Sequence, residues 1–139
     1  MQINRLDHLV LTVKDIDKTV GFYVSVLGME KEIFKENRVA LKFGNHAGED
    51  LTKSQYGQKI NLHQLGLEFE PKARNVKEGS ADLCFISELP LDEVIIHLMR
   101  LHIMIEEGPC ERTGAMGVLN SIYIRDPDEN LIEISTYSK

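Results

Sequence analysis

Four short aliphatic runs each carry one residue able to bind a metal: His8 in LDHLVLTV, His63 in INLHQL, Asp82 in ADLCFI and Glu133 in LIEIST. Imidazole and carboxylate drawn from separate segments form the donor set that divalent Fe, Mn, Ni or Zn takes. The set contains no thiolate, which speaks against a closed structural zinc site and for one with open, catalytic positions. Taken singly, each residue has a plainer reading as a surface histidine, a solvent-facing glutamate or a turn aspartate. Their recurrence in a repeated frame makes them candidates. Other features are weaker. The stretch Pro109 to Gly117 reads as a loop whose glycines could let it act as a lid while Arg112 meets an anionic substrate group. Cys84 shares a face with Asp82 but is by default a small core residue. Tyr56 and Tyr123 are proton donors by chemistry alone, and His97 and His102 read as surface or capping residues.

Side chains alternate across a strand, so each run splits into an apolar face and a face bearing the polar residue. The first half reads as a strand over Leu6 to Val13, then a helix over Ile16 to Leu27 that Asp15 or Asp17 caps and Gly28 ends. Gly21, inside that helix, costs about 1 kcal/mol relative to Ala, which predicts close packing there. Strands Met29 to Glu36 and Arg38 to Phe43 meet at Asn37, and a polar loop, Gly44 to Gln58, leads to a strand over Ile60 to Leu65. After a polar connection the order repeats: strand Ala81 to Ile86, helix Pro90 to His102, strands Ile103 to Glu107 and Val118 to Arg125, a turn at Asp126 to Asn130, and strand Leu131 to Thr136.

The fold class is therefore α+β, with two βαβββ modules, residues 1–65 and 80–139, joined by a linker at 66–79. Constant offsets within elements support a duplication. The first strands and helices superpose at 74 residues (His8 on Asp82, Val20 on Val94), the third strands at 82 (Ala40 on Ile122) and the fourth at 72 (Asn61 on Glu133). If the two sheets curl toward each other, their polar faces line one cavity.

At 139 residues, 42% of them hydrophobic, the chain can bury one domain-sized core. Its 22 acidic and 16 basic residues give a net charge of −6, which leaves no basic field for nucleic acid or an anionic membrane. No apolar run approaches the ~20 residues that span a bilayer, and the N-terminus lacks a secretory hydrophobic stretch. Two cysteines without CxxC spacing suit a reducing compartment, so the expectation is a soluble cytoplasmic protein.

LDHLVLTVKDIDKTVGFYVSVLGME at the start and SIYIRDPDENLIEIS at the end resemble the vicinal oxygen chelate superfamily, which includes glyoxalase I, extradiol dioxygenases and bleomycin-resistance proteins. INLHQ, PLDEV and IEEGPCERTGAMG are similar more narrowly to the glyoxalase domain-containing protein 5 group. The resemblance implies paired βαβββ modules, one divalent metal ion and a homodimer. It places metal ligands on the first and fourth strands of each module, which carries over to His8 and Glu133. Asp82 stands where a histidine is usual. Asn61 stands where glyoxalase I has a glutamate, with His63 two residues on along the same face. That departure argues against strict glyoxalase I activity, since moving a proton on the substrate needs a basic carboxylate there. The implied function is a metal-dependent lyase, isomerase or ring-cleaving dioxygenase acting on a small substrate with vicinal oxygens, with Glu133 as ligand and catalytic carboxylate. The alternative is non-enzymatic binding of a small molecule or antibiotic, as in bleomycin resistance. A plain interaction domain is disfavoured, because burying the polar faces without a ligand is costly.

Overall fold

In the computed structural model, which describes residues 1–44 and 57–139, the chain runs β1 (His8–Val13), α1 (Ile16–Ser25), β2 (Glu30–Phe34), β3 (Arg38–Phe43) and β4 (Gln58–Gln64). It then continues through β5 (Asp82–Ile86), α2 (Leu91–Arg100), β6 (Glu107–Thr113), β7 (Val118–Arg125) and β8 (Leu131–Tyr137). Two units result, Met1–Glu78 and Gly79–Lys139. Each holds one four-stranded mixed sheet, ordered β1-β4-β3-β2 in the first and β5-β8-β7-β6 in the second. This is the α+β, twice-βαβββ arrangement expected. Residues 45–56 of the predicted polar loop, Tyr56 among them, lie outside the described residues, and Gln58 belongs to β4. No helix among the described residues is long and apolar enough to cross a membrane.

In both sheets the first and last strands pair in parallel, with the same register. His8 faces Lys59 and Val10 faces Asn61 in one; Asp82 faces Leu131 and Cys84 faces Glu133 in the other. The offsets of 74 and 72 therefore hold. The third-strand offset does not. Ala40 faces Asn61 and Tyr123 faces Glu133, so Ala40 corresponds to Tyr123 and the offset is 83, not 82. A slip of one residue moves every side chain to the opposite face. Buried Val39-equivalent Ile122 belongs to the core side, and Tyr123 to the polar side.

α1 forms where the sequence signals it. The Asp15 side chain accepts from Lys18 N at 3.1 Å, and Gly28 at φ +70° lets Met29 N reach back to Tyr23 O at 3.1 Å. Thr19, Tyr23 and Val26 are the buried positions, with Leu11, Val13, Leu41, Ile60 and Leu62 forming the sheet side of that unit's core. The close packing expected at Gly21 is absent: the residue is exposed and a Cβ there would meet nothing within 4 Å. α2 is shorter than predicted because His102 takes φ +56°, and of its apolar stripe Val94 and Leu98 are buried while Leu101 stays exposed.

The largest correction concerns the stretch after α2. The predicted strand Ile103 to Glu107 is irregular up to Glu106, and the predicted lid is mostly β6, laddered to β7 from Glu107↔Tyr123 to Thr113↔Val118. Gly108 and Pro109 do not break this strand, because β6 is an edge and the register shifts between Glu107 and Cys110. Only Gly114 to Gly117 turns, closed by Gly114 N donating to Gly117 O at 2.7 Å. A Cβ on Gly114 would meet the Leu119 side chain at 2.8 Å, so the turn is packed rather than loose.

The turn at Asp126 to Asn130 is built around one buried carboxylate. Asp126 Oδ1 accepts from Asp128 N and Asn130 N, both at 2.9 Å, and Oδ2 from Asn130 Nδ2 at 2.8 Å. Asn130 Oδ1 in turn accepts from Ala81 N at 2.8 Å, tying the turn to the start of β5. Glu129, not Asn130, takes the left-handed conformation, at φ +70°.

Candidate functional site

The polar face of the first unit's sheet is a grid of three rows, read from the registers. His8, Lys59 and Lys42 with Glu30 form one row; Val10, Asn61, Ala40 and Glu32 the next; Thr12, His63, Arg38 and Phe34 the third. His8 and His63 thus share a face, as alternation predicted, but four residues of strand separate them, roughly 13 Å. They do not meet.

His8 is exposed at its end of the grid, and its Nδ1 donates to Asp7 Oδ2 at 2.7 Å. This bond from the imidazole is the main cause that holds the Asp7 carboxyl below its ordinary pKa. It also fixes the tautomer, so the Nε2 lone pair is the one available, which is how metal-binding histidines are oriented by a carboxylate. His63 is in a different condition. It is buried to 2% exposure, edge-on to Phe69 at 5.4 Å, with Arg38 Nη2 3.3 Å from its Nε2. A guanidinium only donates, so Nε2 accepts and Nδ1 carries the proton. Nδ1 has no partner among the described residues, and neither does Oδ1 of neighbouring, buried Asn61. Burial first, then the Arg38 charge, push the His63 pKa below its ordinary value. An imidazole so engaged, beside a cation, does not fit a metal-ligand role.

The second unit's grid carries acids and hydroxyls. Asp82 is exposed beside Leu131; Glu133 is half-buried between Cys84 and Tyr123; Ser135 lies between Ile86 and Ser121. Ser135 Oγ lies 2.7 Å from Ser121 Oγ and 3.4 Å from Glu133 Oε1. Cys84, expected as a core residue, is exposed, with its sulfur 3.3 Å from Ser135 Oγ and its thiol pKa raised chiefly by desolvation. Arg112 does not present a free guanidinium. Nε donates to the Tyr123 hydroxyl at 2.9 Å, Nη1 to Glu111 O at 2.9 Å and Nη2 to Glu107 Oε1 at 3.2 Å. Tyr123 keeps its proton to higher pH than usual, through desolvation and the Glu133 charge. A cavity of about 780 Å³ in this unit, lined in part by Leu89, Pro90, Cys110, Asn120 and Tyr137, contains none of the predicted ligands.

Among the described residues, no three His, Cys, Asp or Glu side chains come together as a set able to hold a metal ion. The individual donors nonetheless divide by fit: His8 offers an oriented lone pair and Glu133 a half-buried carboxylate, whereas the His63 nitrogen is taken. Asn61, Arg38, Phe34 and Phe69 were not singled out as a group by sequence reasoning. The one available signal was that residue 38 falls on the polar face of its strand.

Comparison with known proteins agrees with this architecture. Virulence protein STM3117 of Salmonella typhimurium (strain LT2) is 55% identical over 137 residues, covering 99% of this chain and 87% of that protein. Glyoxalase domain-containing protein RDO1 of Mycosarcoma maydis is 47% identical over 137 residues, covering 99% of this chain and 70% of that one. The solved structure of an integron cassette protein from the mobile metagenome of V. Cholerae is 54% identical, covers 99% of this chain and 98% of its own, and superposes with a TM-score of 0.88. Residues 5–134 match the family model, and the chain therefore belongs to the Glyoxalase/Bleomycin resistance protein/Dioxygenase superfamily.

Proposed function

We propose that the protein binds one divalent metal ion, Fe, Mn, Ni or Zn, through His8 and Glu133 with Asp82 as a further donor, and acts on a small substrate bearing vicinal oxygens. The observation that carries this reading is the His8 ring, held at Nδ1 by Asp7 at 2.7 Å with Nε2 left for a ligand. His63 is left out of the ligand set because Arg38 occupies its Nε2. Such an ion, when bound, supplies Lewis acidity toward the substrate oxygens. The chain's own residues do the rest. Ser135 donates to Glu133 and holds its carboxylate in place. Tyr123, accepting from Arg112, keeps a proton available beside Glu133. Asn61 is a neutral amide and cannot serve as a base, so lyase or ring-cleaving dioxygenase chemistry suits the site better than glyoxalase I chemistry. The same reading takes the protein as a relative of the glyoxalase domain-containing protein 5 group, as a homodimer, which is usual in the superfamily, and as cytoplasmic.

A second reading is a non-enzymatic small-molecule binder, a class that the superfamily's bleomycin resistance members represent. Elemental analysis of protein purified under anaerobic, metal-replete conditions separates the two. The metal-dependent reading expects about one equivalent of divalent metal, lost in both His8→Ala and Glu133→Ala. Stoichiometric metal retained by both variants refutes the ligand assignment, and metal-free wild type refutes the enzyme reading in favour of the binder.

A further inference from the structure

In the first unit the cations near the polar face have acids: Lys42 and Lys59 reach Glu32 at 3.1 and 3.8 Å, and Lys72 reaches Glu70 at 3.3 Å. Arg38 does not. Among the described residues no carboxylate pairs with it, although it is half-buried, with Phe34 5.3 Å and Phe69 4.5 Å from its guanidinium carbon. Its Nη2 is spent on the buried His63 imidazole, a neutral acceptor that orients the fork without neutralising it. Beside it, the His63 Nδ1 donor is buried without a partner among the described residues, a costly arrangement that an anionic oxygen relieves; the Asn61 Oδ1 acceptor, likewise without one among them, calls for a donor instead. A planar, fixed cation flanked by aromatic rings suits a planar anion on an apolar body, and the guanidinium fork matches the two oxygens of a carboxylate.

We propose that Arg38, positioned by His63 and flanked by Phe34 and Phe69, is the recognition site for a carboxylate of the protein's small-molecule ligand. This deepens the reading of a small oxygenated substrate and rests on it for the size of the ligand and for the place of its vicinal oxygens, while the carboxylate contact itself stands on Arg38. Arg38 lies on the third row of the face and His8 on the first, so the carboxylate is bound at the end remote from the proposed metal ligand, roughly 13 Å along the strands. The substrate class is then a carboxylic acid whose vicinal oxygens lie away from the carboxylate. His63 is a positioning residue, and Arg38 makes the contact.

The test uses the full chain stripped of metal by chelation, titrated with benzoate and, as a neutral isostere, benzamide. Binding is read by calorimetry and by the long-range nitrogen spectrum of the histidine rings. Saturable benzoate binding that moves the His63 Nδ1 resonance, with benzamide weaker by about tenfold or more, is the expected result. Arg38→Lys should weaken benzoate about tenfold through loss of the fork while keeping the charge and the fold, and Arg38→Met should abolish it. No saturable benzoate binding, equal binding of benzamide, or wild-type affinity in a folded Arg38→Met variant overturns the assignment, and inorganic phosphate binding more tightly than benzoate overturns its carboxylate class. Because the protein is metal-free throughout, failure of the metal reading leaves this outcome readable, and the reverse also holds.

Discussion

Removing the Asp126 carboxylate should unfold the second unit's turn at a cost large enough to measure without ambiguity. The buried side chain accepts three hydrogen bonds, from Asp128 N, Asn130 N and Asn130 Nδ2, at 2.8 to 2.9 Å. Bonds to a charged acceptor contribute about 1.5 kcal/mol each at the low end, and Asp126→Ala leaves their buried donors unpaired. The expected loss is therefore about 4.5 kcal/mol, a large part of the roughly 5 to 15 kcal/mol by which domains of this kind are stable. The turn also sets Asn130, whose Oδ1 holds Ala81 N at the start of β5, so the damage reaches the parallel β5–β8 pair. Asp126→Asn keeps the two bonds at Oδ1 and opposes two amide groups at the third, so it should cost roughly 1.5 to 2 kcal/mol. The chain has no tryptophan, so urea unfolding is followed by far-UV circular dichroism and tyrosine emission, which reports Tyr123 and Tyr137 in this unit. With a slope near 2 kcal/mol/M, the midpoint should fall by about 2 M at constant slope. A loss below about 1 kcal/mol for Asp126→Ala, or equal losses for the two variants, would refute the account of the turn as a carboxylate-centred knot.

Gly21→Ala should raise stability by about 0.5 to 1 kcal/mol, seen as a higher denaturation midpoint, because the exposed helical position has room for a methyl group; a loss instead would mean that a second chain covers this face of α1. Asp7→Asn weakens the bond that orients His8 and should lower metal affinity roughly 10- to 100-fold in competition with a chelator, while wild-type affinity would remove Asp7 from the site. His63 has a lowered pKa when folded, so the unfolded chain binds its proton more readily and stability is present above its ordinary value of 6.5 and lost as pH falls below it. His63→Gln should flatten that part of the stability profile in acid-titration melts, and an unchanged profile would show that His63 is not the group responsible.

How much of this was legible in the sequence follows from which regularities are local. The period of two along β1, β4, β5 and β8 placed His8, Asn61, His63, Asp82 and Glu133 on the polar faces correctly, because alternation depends only on the strand itself. The third-strand offset failed by one residue, and that slip left Tyr123, a proton donor by chemistry alone, unassigned to its place beside Glu133. β6 was missed because Gly108 and Pro109 are loop residues by composition and are tolerated here only by an edge and a shifted register. Arg112 looked like a free cation because its partners, Glu107 and Tyr123, reach it only once β6 and β7 are laddered. Arg38 went unnoticed for the converse reason. Its significance lies in a missing partner and in Phe69, which sits in a stretch that reads as polar linker.

The duplicated frame shows how one backbone pattern carries different chemistry in each unit. Equivalent positions are fixed by register: His8 with Asp82, Asn61 with Glu133, Ala40 with Tyr123, and the pair Arg38 and His63 with Ser121 and Ser135. The second pairing is the more telling. Two hydroxyls 2.7 Å apart satisfy one another within the sheet and ask for no ligand, whereas among the described residues a guanidinium on an imidazole at 3.3 Å has no paired carboxylate and the imidazole's second nitrogen has no partner. At Asn61 and Glu133 the polarity is reversed, a neutral amide in one unit against a carboxylate in the other. The backbone grid is thus conserved between the halves while its chemistry is not: the end row of the first unit carries Arg38 and His63, and the equivalent positions of the second carry Ser121 and Ser135. A protein that only needed two stable sheets would gain nothing from a half-buried Arg38 on a buried His63, because an apolar pair at those positions removes the burial cost outright. Retaining both is what a recognition surface for an anionic small molecule requires.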